Sequence, residues 1–253
     1  MRSVLLLAVL TVGCAAELDE GGEEDEVGTS SRVALNGLTS STPDSLTSDF
    51  SLFPQVAGGS LPTASARVPR LFSSAKGREQ FSYLVSCAEK PDRTVVLTVS
   101  GVTYTFAGSM ALAPEWSSGA LSASKYKLVT ACILARTNYF GISVPISMRS
   151  RTLTTSDAEA AAFTIAEGAF WGDLFTAGMP PRACASLAKL SGEAISTLPQ
   201  RECTTSLDGV STLCGFDYAG ECSMVCAADL TKKFGYTDCE GTTETITVFV
   251  QKP

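Results

Sequence analysis

Residues 93–108 read "RTVVLTVSGVTYTFAG", and this stretch decides the class of fold. Thr94 to Val99 and Val102 to Phe106 are two alternating runs rich in β-branched and aromatic residues, with Ser100-Gly101 between them. Alternation with period two puts every second side chain on one face, as a half-buried strand requires. Two residues between such runs, the second a glycine free to take positive φ, specify a tight hairpin turn.

Upstream the period changes. In "SAKGREQFSYLVSCAEK" (74–90) Phe81, Leu84, Val85 and Ala88 recur at helical spacing and predict a helix that carries Cys87. Downstream, "LSASKYKLVTACILART" (121–137) predicts a second helix with Cys132 on its apolar side. "GISVPISM" (141–148) reads as a strand, and Pro145 assigns it to a sheet edge because proline donates no ladder hydrogen bond. A further helix starts at Ser156 or Asp157, and the last strand alternates from Thr245 to Val250. No succession of βαβ units occurs, so the expected class is α+β: a disulfide-stapled body with a hairpin, mostly antiparallel strands and a few helices.

The charge is uneven. Seven acids and no base lie between Glu17 and Glu26, whereas Arg67 to Pro253 holds 17 basic and 17 acidic side chains. A formally neutral body has no surplus of Lys and Arg to displace counterions, which excludes nucleic acid as a partner. Residues 1–13, with Arg2 and the apolar run Val4 to Val12, read as a lipoprotein-type signal peptide. Nine residues fall well short of the roughly 20 that a membrane-spanning helix needs. "LTVGC" (10–14) resembles a lipobox, with Cys14 lipidated and holding the mature chain on the membrane, and Ala15 favours the outer membrane. The alternative is ordinary cleavage after Ala16, leaving a soluble periplasmic or secreted protein. Residues 14–66, acidic and then rich in Ser, Thr and Gly, read as a flexible tether spanning about 40 Å. The body is then 67–253, with 67–153 and 154–253 as candidate halves.

Nine cysteines leave an odd thiol, and removing Cys14 leaves Cys87, Cys132, Cys184, Cys203, Cys214, Cys222, Cys226 and Cys239, which can pair completely. Cys87 with Cys132 is the most economical bridge, and the connectivity of the six from Cys184 to Cys239 stays open. The rival is a zinc site from Cys214, Cys222, Cys226 and Cys239. Only Cys222 and Cys226 have the close spacing of structural zinc ligands, and an oxidising compartment favours disulfides. No metal or other cofactor is expected.

The chain has no histidine, which removes the Ser-His-Asp triad, the Cys-His pair and histidine-ligated zinc. Two chemistries remain. S-x-x-K occurs at Ser73–Lys76, Ser122–Lys125, Ser124–Lys127 and Ser186–Lys189, without the companion motifs of serine–lysine hydrolases. Carboxylates beside aromatics occur in "APEW", Glu115 with Trp116, and in "AEGAFWGDLF", Glu167 and Asp173 around Trp171. Such clusters serve in glycoside sites, and they are more often buried aromatics with solvated neighbours.

Taken together, "FSYLVSCAEKPDRTVVLTVSGVTYTFAGSMALAPEW" (81–116), "LVTACILARTNYFGISVPISM" (128–148), "EGAFWGDLF" (167–175) and "LCGFDYAGEC" (213–222) resemble exported proteins of large-genome predatory and soil bacteria. The resemblance covers about residues 80 to 240. It implies export and a cysteine-bridged body and carries over no catalytic residue. It also marks Trp116, Trp171 and Asp173 as a candidate shared surface. The expected function is a cell-envelope lipoprotein with a non-catalytic binding or structural domain and a protein or glycan partner. The alternative is a histidine-free envelope hydrolase using a carboxylate pair or a Ser–Lys pair.

Overall fold

The computed structural model describes residues 33–36, 38–39, 50–138, 144–153, 155–176, 180–190, 214–229 and 233–252. Its strands are β1 (Val33–Asn36), β2 (Leu38–Thr39), β3 (Thr94–Val99), β4 (Val102–Ala107), β5 (Thr137–Asn138) and β6 (Val144–Arg149). They continue with β7 (Ile165–Trp171), β8 (Arg182–Ala185), β9 (Asp217–Glu221), β10 (Ala227–Ala228), β11 (Tyr236–Thr237) and β12 (Ile246–Val250). The helices are α1 (Phe53–Val56), α2 (Leu61–Ala66), α3 (Pro69–Phe72), α4 (Ala75–Ala88), α5 (Ala123–Ala135), α6 (Asp157–Ala162), α7 (Leu187–Leu190) and α8 (Cys222–Val225). Helices and mostly antiparallel strands, stapled by disulfides, make the α+β body that the sequence predicts.

β3 and β4 pair antiparallel with Val99 opposite Val102, and the turn places Ser100 at φ +51° and Gly101 at φ +79°. Positive φ at both turn residues matches the right-handed twist of the two strands, which is why the glycine stands there. Val95, Leu97 and Val99 point inward and the residues between them outward. Each long helix starts on a serine that satisfies a free N–H: Ser74 Oγ accepts from Gly77 N at 2.9 Å and Ser122 Oγ from Lys125 N at 3.4 Å. The short α6 is capped in the same way, Ser156 Oγ accepting from Glu159 N at 3.2 Å.

The main sheet has the order β1-β6-β12-β7-β8-β9, antiparallel throughout except for β8 beside β9. α5 packs on one face of it, α4 packs on α5, and the hairpin closes over α4. Because it lies between two neighbours and under cover on both faces, β12 is buried at every position instead of alternating.

The structure revises three sequence expectations. First, β6 is not an edge strand, since β1 pairs with it from outside. Pro145 is tolerated because it faces only Leu35 of β1, whereas the ladder to β12 runs over Ser147 to Arg149. Second, the packed body begins before Arg67. Phe53, Val56, Leu61 and Ala64 are fully buried in the main core, and β1 is already part of the sheet, so the stretch 14–66 is not tether throughout. Third, residues 67–153 and 154–253 are not separate halves: β12 inserts between β6 and β7, and one apolar cluster runs from Phe50 to Val250.

One buried charge sets a pH dependence. Glu89, 1% exposed, follows the C-terminal end of α4, where the helix dipole disfavours an anion. Burial holds its carboxyl above the usual carboxylate range, against the pull of Arg93, with the push of Glu115, and against Lys90. The folded state therefore binds this proton more tightly than the unfolded chain, and stability falls as pH rises from about 4.5 through the raised value. Glu89→Gln is expected to melt higher than the parent at pH 7, with the gap closing toward pH 4. Equal melting temperatures at both ends of that range would remove Glu89 as the source.

Candidate functional site

The registers of the main sheet define a site on the face away from α5. Residues directly opposite one another on paired strands share a face. Arg149, Thr247, Ala169 and Cys184 form one such row across β6, β12, β7 and β8, and Ser147, Phe249 and Ala166 form the next. The ladder skips one residue of β7 between these rows, leaving Glu167 as the extra residue of a bulge.

Half of this face is covered by cysteine-linked chain. Cys184–Cys222 ties β8 to α8, and Cys226–Cys239 closes a loop that contains β10 and β11. The loop is pinned to the sheet at Thr247, whose Oγ1 accepts from Tyr236 N at 2.8 Å and donates to Tyr236 O at 3.0 Å. Gly235 lets the chain come this close: its φ is +78°, and a Cβ there would lie 2.7 Å from the Thr247 side chain. Two ion pairs hold the same corner, Arg151 with Asp238 at 2.7 Å and Arg182 with Glu240 at 2.5 Å.

Beside the loop the sheet face stays open as a groove of two adjoining cavities with Thr164 and Phe249 common to both. The larger, about 560 Å³, mixes apolar surface with charged groups and is lined further by Arg149, Thr155, Asp157 and Lys233. The smaller, about 370 Å³, is mainly apolar and is lined by Ala166, Ala228, Gly235 and Tyr236. Arg149 is 3% exposed and lies over the Phe249 ring, its guanidinium carbon 3.8 Å from the centroid. Its Nε donates to Ser147 Oγ at 3.0 Å and its Nη2 to the Phe163 carbonyl, while Nη1 has no hydrogen-bond acceptor among the described residues. Burial pulls its pKa down and the Glu159 carboxylate pulls it up, and a guanidinium stays charged in either case. Thr155 Oγ1, also buried in this wall, has no hydrogen-bond partner among the described residues.

The residues singled out from the sequence lie elsewhere. Trp116, fully buried, donates from Nε1 to Gly59 O at 3.1 Å, and neighbouring Glu115 is exposed and pairs with Lys125 at 3.5 Å. Trp171 packs on the cysteines and donates to Glu240 Oε2 at 3.2 Å. Asp173, 2% exposed, accepts from Phe175 N, Thr176 N and Thr176 Oγ1 and so fixes its own turn. Trp116, Glu167, Trp171 and Asp173 are all interior, and the two tryptophans belong to different apolar clusters, so these residues do not form the surface expected of them. Their apolar area is worth more buried than displayed.

The serine–lysine pairs also have structural roles. Ser122 caps α5, Ser73 Oγ donates to Arg70 O, Ser124 Oγ to Glu244 Oε1 and Ser186 Oγ to Ala166 O. Lys125 turns its ammonium to Leu112 O and Glu115.

Cys87 and Cys132 are bonded to each other across α4 and α5. Of the cysteines considered for zinc, Cys226 and Cys239 share a disulfide, Cys222 is bonded to Cys184, and Cys214 is also disulfide-bonded. The sulfurs of Cys184 and Cys226 touch at 3.6 Å. Oxidised sulfur carries no thiolate, so this cluster as it stands is a staple and not a metal centre. Cys14 and Cys203 lie outside the described residues.

Sequence reasoning missed the groove. Arg149 carries the one local signal, a cation ending the apolar run "VPISM"; its neighbours come together only through the register. No protein-family model, curated protein or solved structure matches this chain.

Proposed function

We propose that the chain is an exported cell-envelope lipoprotein, anchored at the outer membrane through acyl chains on Cys14, and that its body is a non-catalytic binding domain using the Arg149 groove. Disulfides support an extracytoplasmic body, and among the described residues no helix is long and apolar enough to cross a membrane. The lipobox-like "LTVGC" supports the anchor.

The observation that carries the binding role is the state of Arg149. Buried charges are normally paired, because desolvating a lone ion costs several kcal/mol. Among the described residues the ion pairs are Lys76–Glu79, Lys125–Glu115, Arg151–Asp238 and Arg182–Glu240, none of which uses Arg149. Its remaining N–H groups lie at a cavity of a size that suits a small molecule. The Glu159 carboxylate offsets part of this charge, and an acidic ligand would add a hydrogen-bonded partner at the N–H groups that remain.

Both halves can be tested. Cys14→Ala is expected to move the protein from the membrane fraction to the soluble fraction; a variant that stays with the membrane ends the anchor. The apolar anionic dye 8-anilinonaphthalene-1-sulfonate is expected to fluoresce on the folded chain, and Thr164→Trp, at an exposed position common to both cavities, to abolish the signal. No enhancement with the parent, or the same enhancement with the variant, removes the groove as a binding site.

A further inference from the structure

Resting on that reading, we infer that the ligand of the groove is a small monocarboxylate with an apolar or aromatic body, its carboxylate on Arg149 and its body in the cavity between Ala166 and Tyr236. The two cavities differ in chemistry and are continuous at Thr164 and Phe249, so one molecule can use both. At the polar end Arg149 keeps N–H groups on Nη1 and Nη2 beyond the two bonds it makes, and Lys233 and Thr164 line the same cavity. The planar end of the guanidinium, with N–H groups on both Nη atoms, matches the two oxygens of a planar carboxylate.

A tetrahedral anion fits less well. Its third oxygen lies outside the plane of that fork, and the same cavity includes the exposed carboxylate of Asp157. The charges lining both cavities are Arg149 and Lys233 against Asp157 and Asp229. That formally neutral lining, further offset by Glu159 near Arg149, favours a single negative charge over a dianion. Asp229 is held toward its own loop, its Oδ2 accepting from Phe234 N at 2.8 Å. Phe249 and Tyr236 both line the apolar end, which suits an apolar or aromatic body.

The test is displacement of the bound dye by three ligands that share one ring system: 2-naphthoate, naphthalene-2-sulfonate and 2-naphthylmethanol. Naphthoate is expected to displace the dye at least tenfold more tightly than either of the others. Arg149→Lys keeps the charge and loses the planar fork, so it is expected to weaken naphthoate about tenfold or more and leave the alcohol nearly unchanged. Equal loss for acid and alcohol would make Arg149 a structural residue only and overturn the inference. So would a sulfonate or alcohol that binds as well as the carboxylate, although the groove would then stand as a binding site. If Arg149→Lys fails to fold, Ala166→Phe, which fills the apolar end alone, is expected to weaken naphthoate and leave acetate no better or worse than before; unchanged naphthoate binding overturns the placement. Absence of dye binding to the parent sinks the groove and the inference together.

Discussion

Replacing Cys87 and Cys132 together by alanine is expected to cost the body about 4 kcal/mol, the loop-closure entropy of a 45-residue separation. Both residues are fully buried, and their Cα atoms stand 6.0 Å apart where α4 and α5 meet. The bond joins the helix that supports the hairpin to the helix that supports the sheet, so its loss is felt by both layers. By the same relation Cys226–Cys239, with a separation of 13, contributes about 3 kcal/mol. For a body of this size each kcal/mol moves the midpoint by roughly 2–4 °C, so the double variant should melt about 8–16 °C below the parent. Thermal scans of the two proteins, both free of reductant, make the comparison. A drop of less than about 3 °C would mean that unfolded chains are already confined without the bond.

What the sequence discloses and what it hides divide along local and non-local lines. The hairpin at Ser100-Gly101, the helix start at Ser156 and the two long helices follow from residues within one or two turns of each other, and each forms as read. The groove does not. Arg149 meets Thr247 across a register set by strands about a hundred residues apart, and no periodicity in "VPISMR" reports which strand will lie beside it. The tryptophans mislead for a related reason. Composition shows that an acid stands beside an indole, but only the packed layers decide that Trp116 and Trp171 point inward, with Nε1 satisfied by Gly59 O and Glu240. The stretch 50–66 lacks sustained period because it folds as short turns of helix. Each presents only two or three buried side chains, such as Phe53 and Val56, too few for a pattern.

The second large effect acts on that stretch from outside it. Trp116 is the largest fully buried side chain among the described residues, set on the short 3₁₀ turn Pro114–Ser117. It stands edge-on to Tyr126 and to Phe175, each at 5.3 Å, and its indole N–H reaches back to Gly59. One residue therefore joins residues 50–66, α5 and the turn after β7. Trp116→Ala should cost about 3–5 kcal/mol, since it removes a large apolar volume that rigid neighbours cannot refill. Trp116→Phe keeps most of that volume and loses the hydrogen bond to Gly59, so its cost should stay near 1–2 kcal/mol. Urea unfolding followed by circular dichroism separates the two through their midpoints. The same measurement on a chain lacking residues 1–66 tests the boundary of the body. If Phe53, Val56 and Leu61 belong to the core, that chain should be at least as damaged as Trp116→Ala. A truncated chain as stable as the parent, alongside a Trp116→Ala that loses less than about 1 kcal/mol, would return residues 50–66 to the tether.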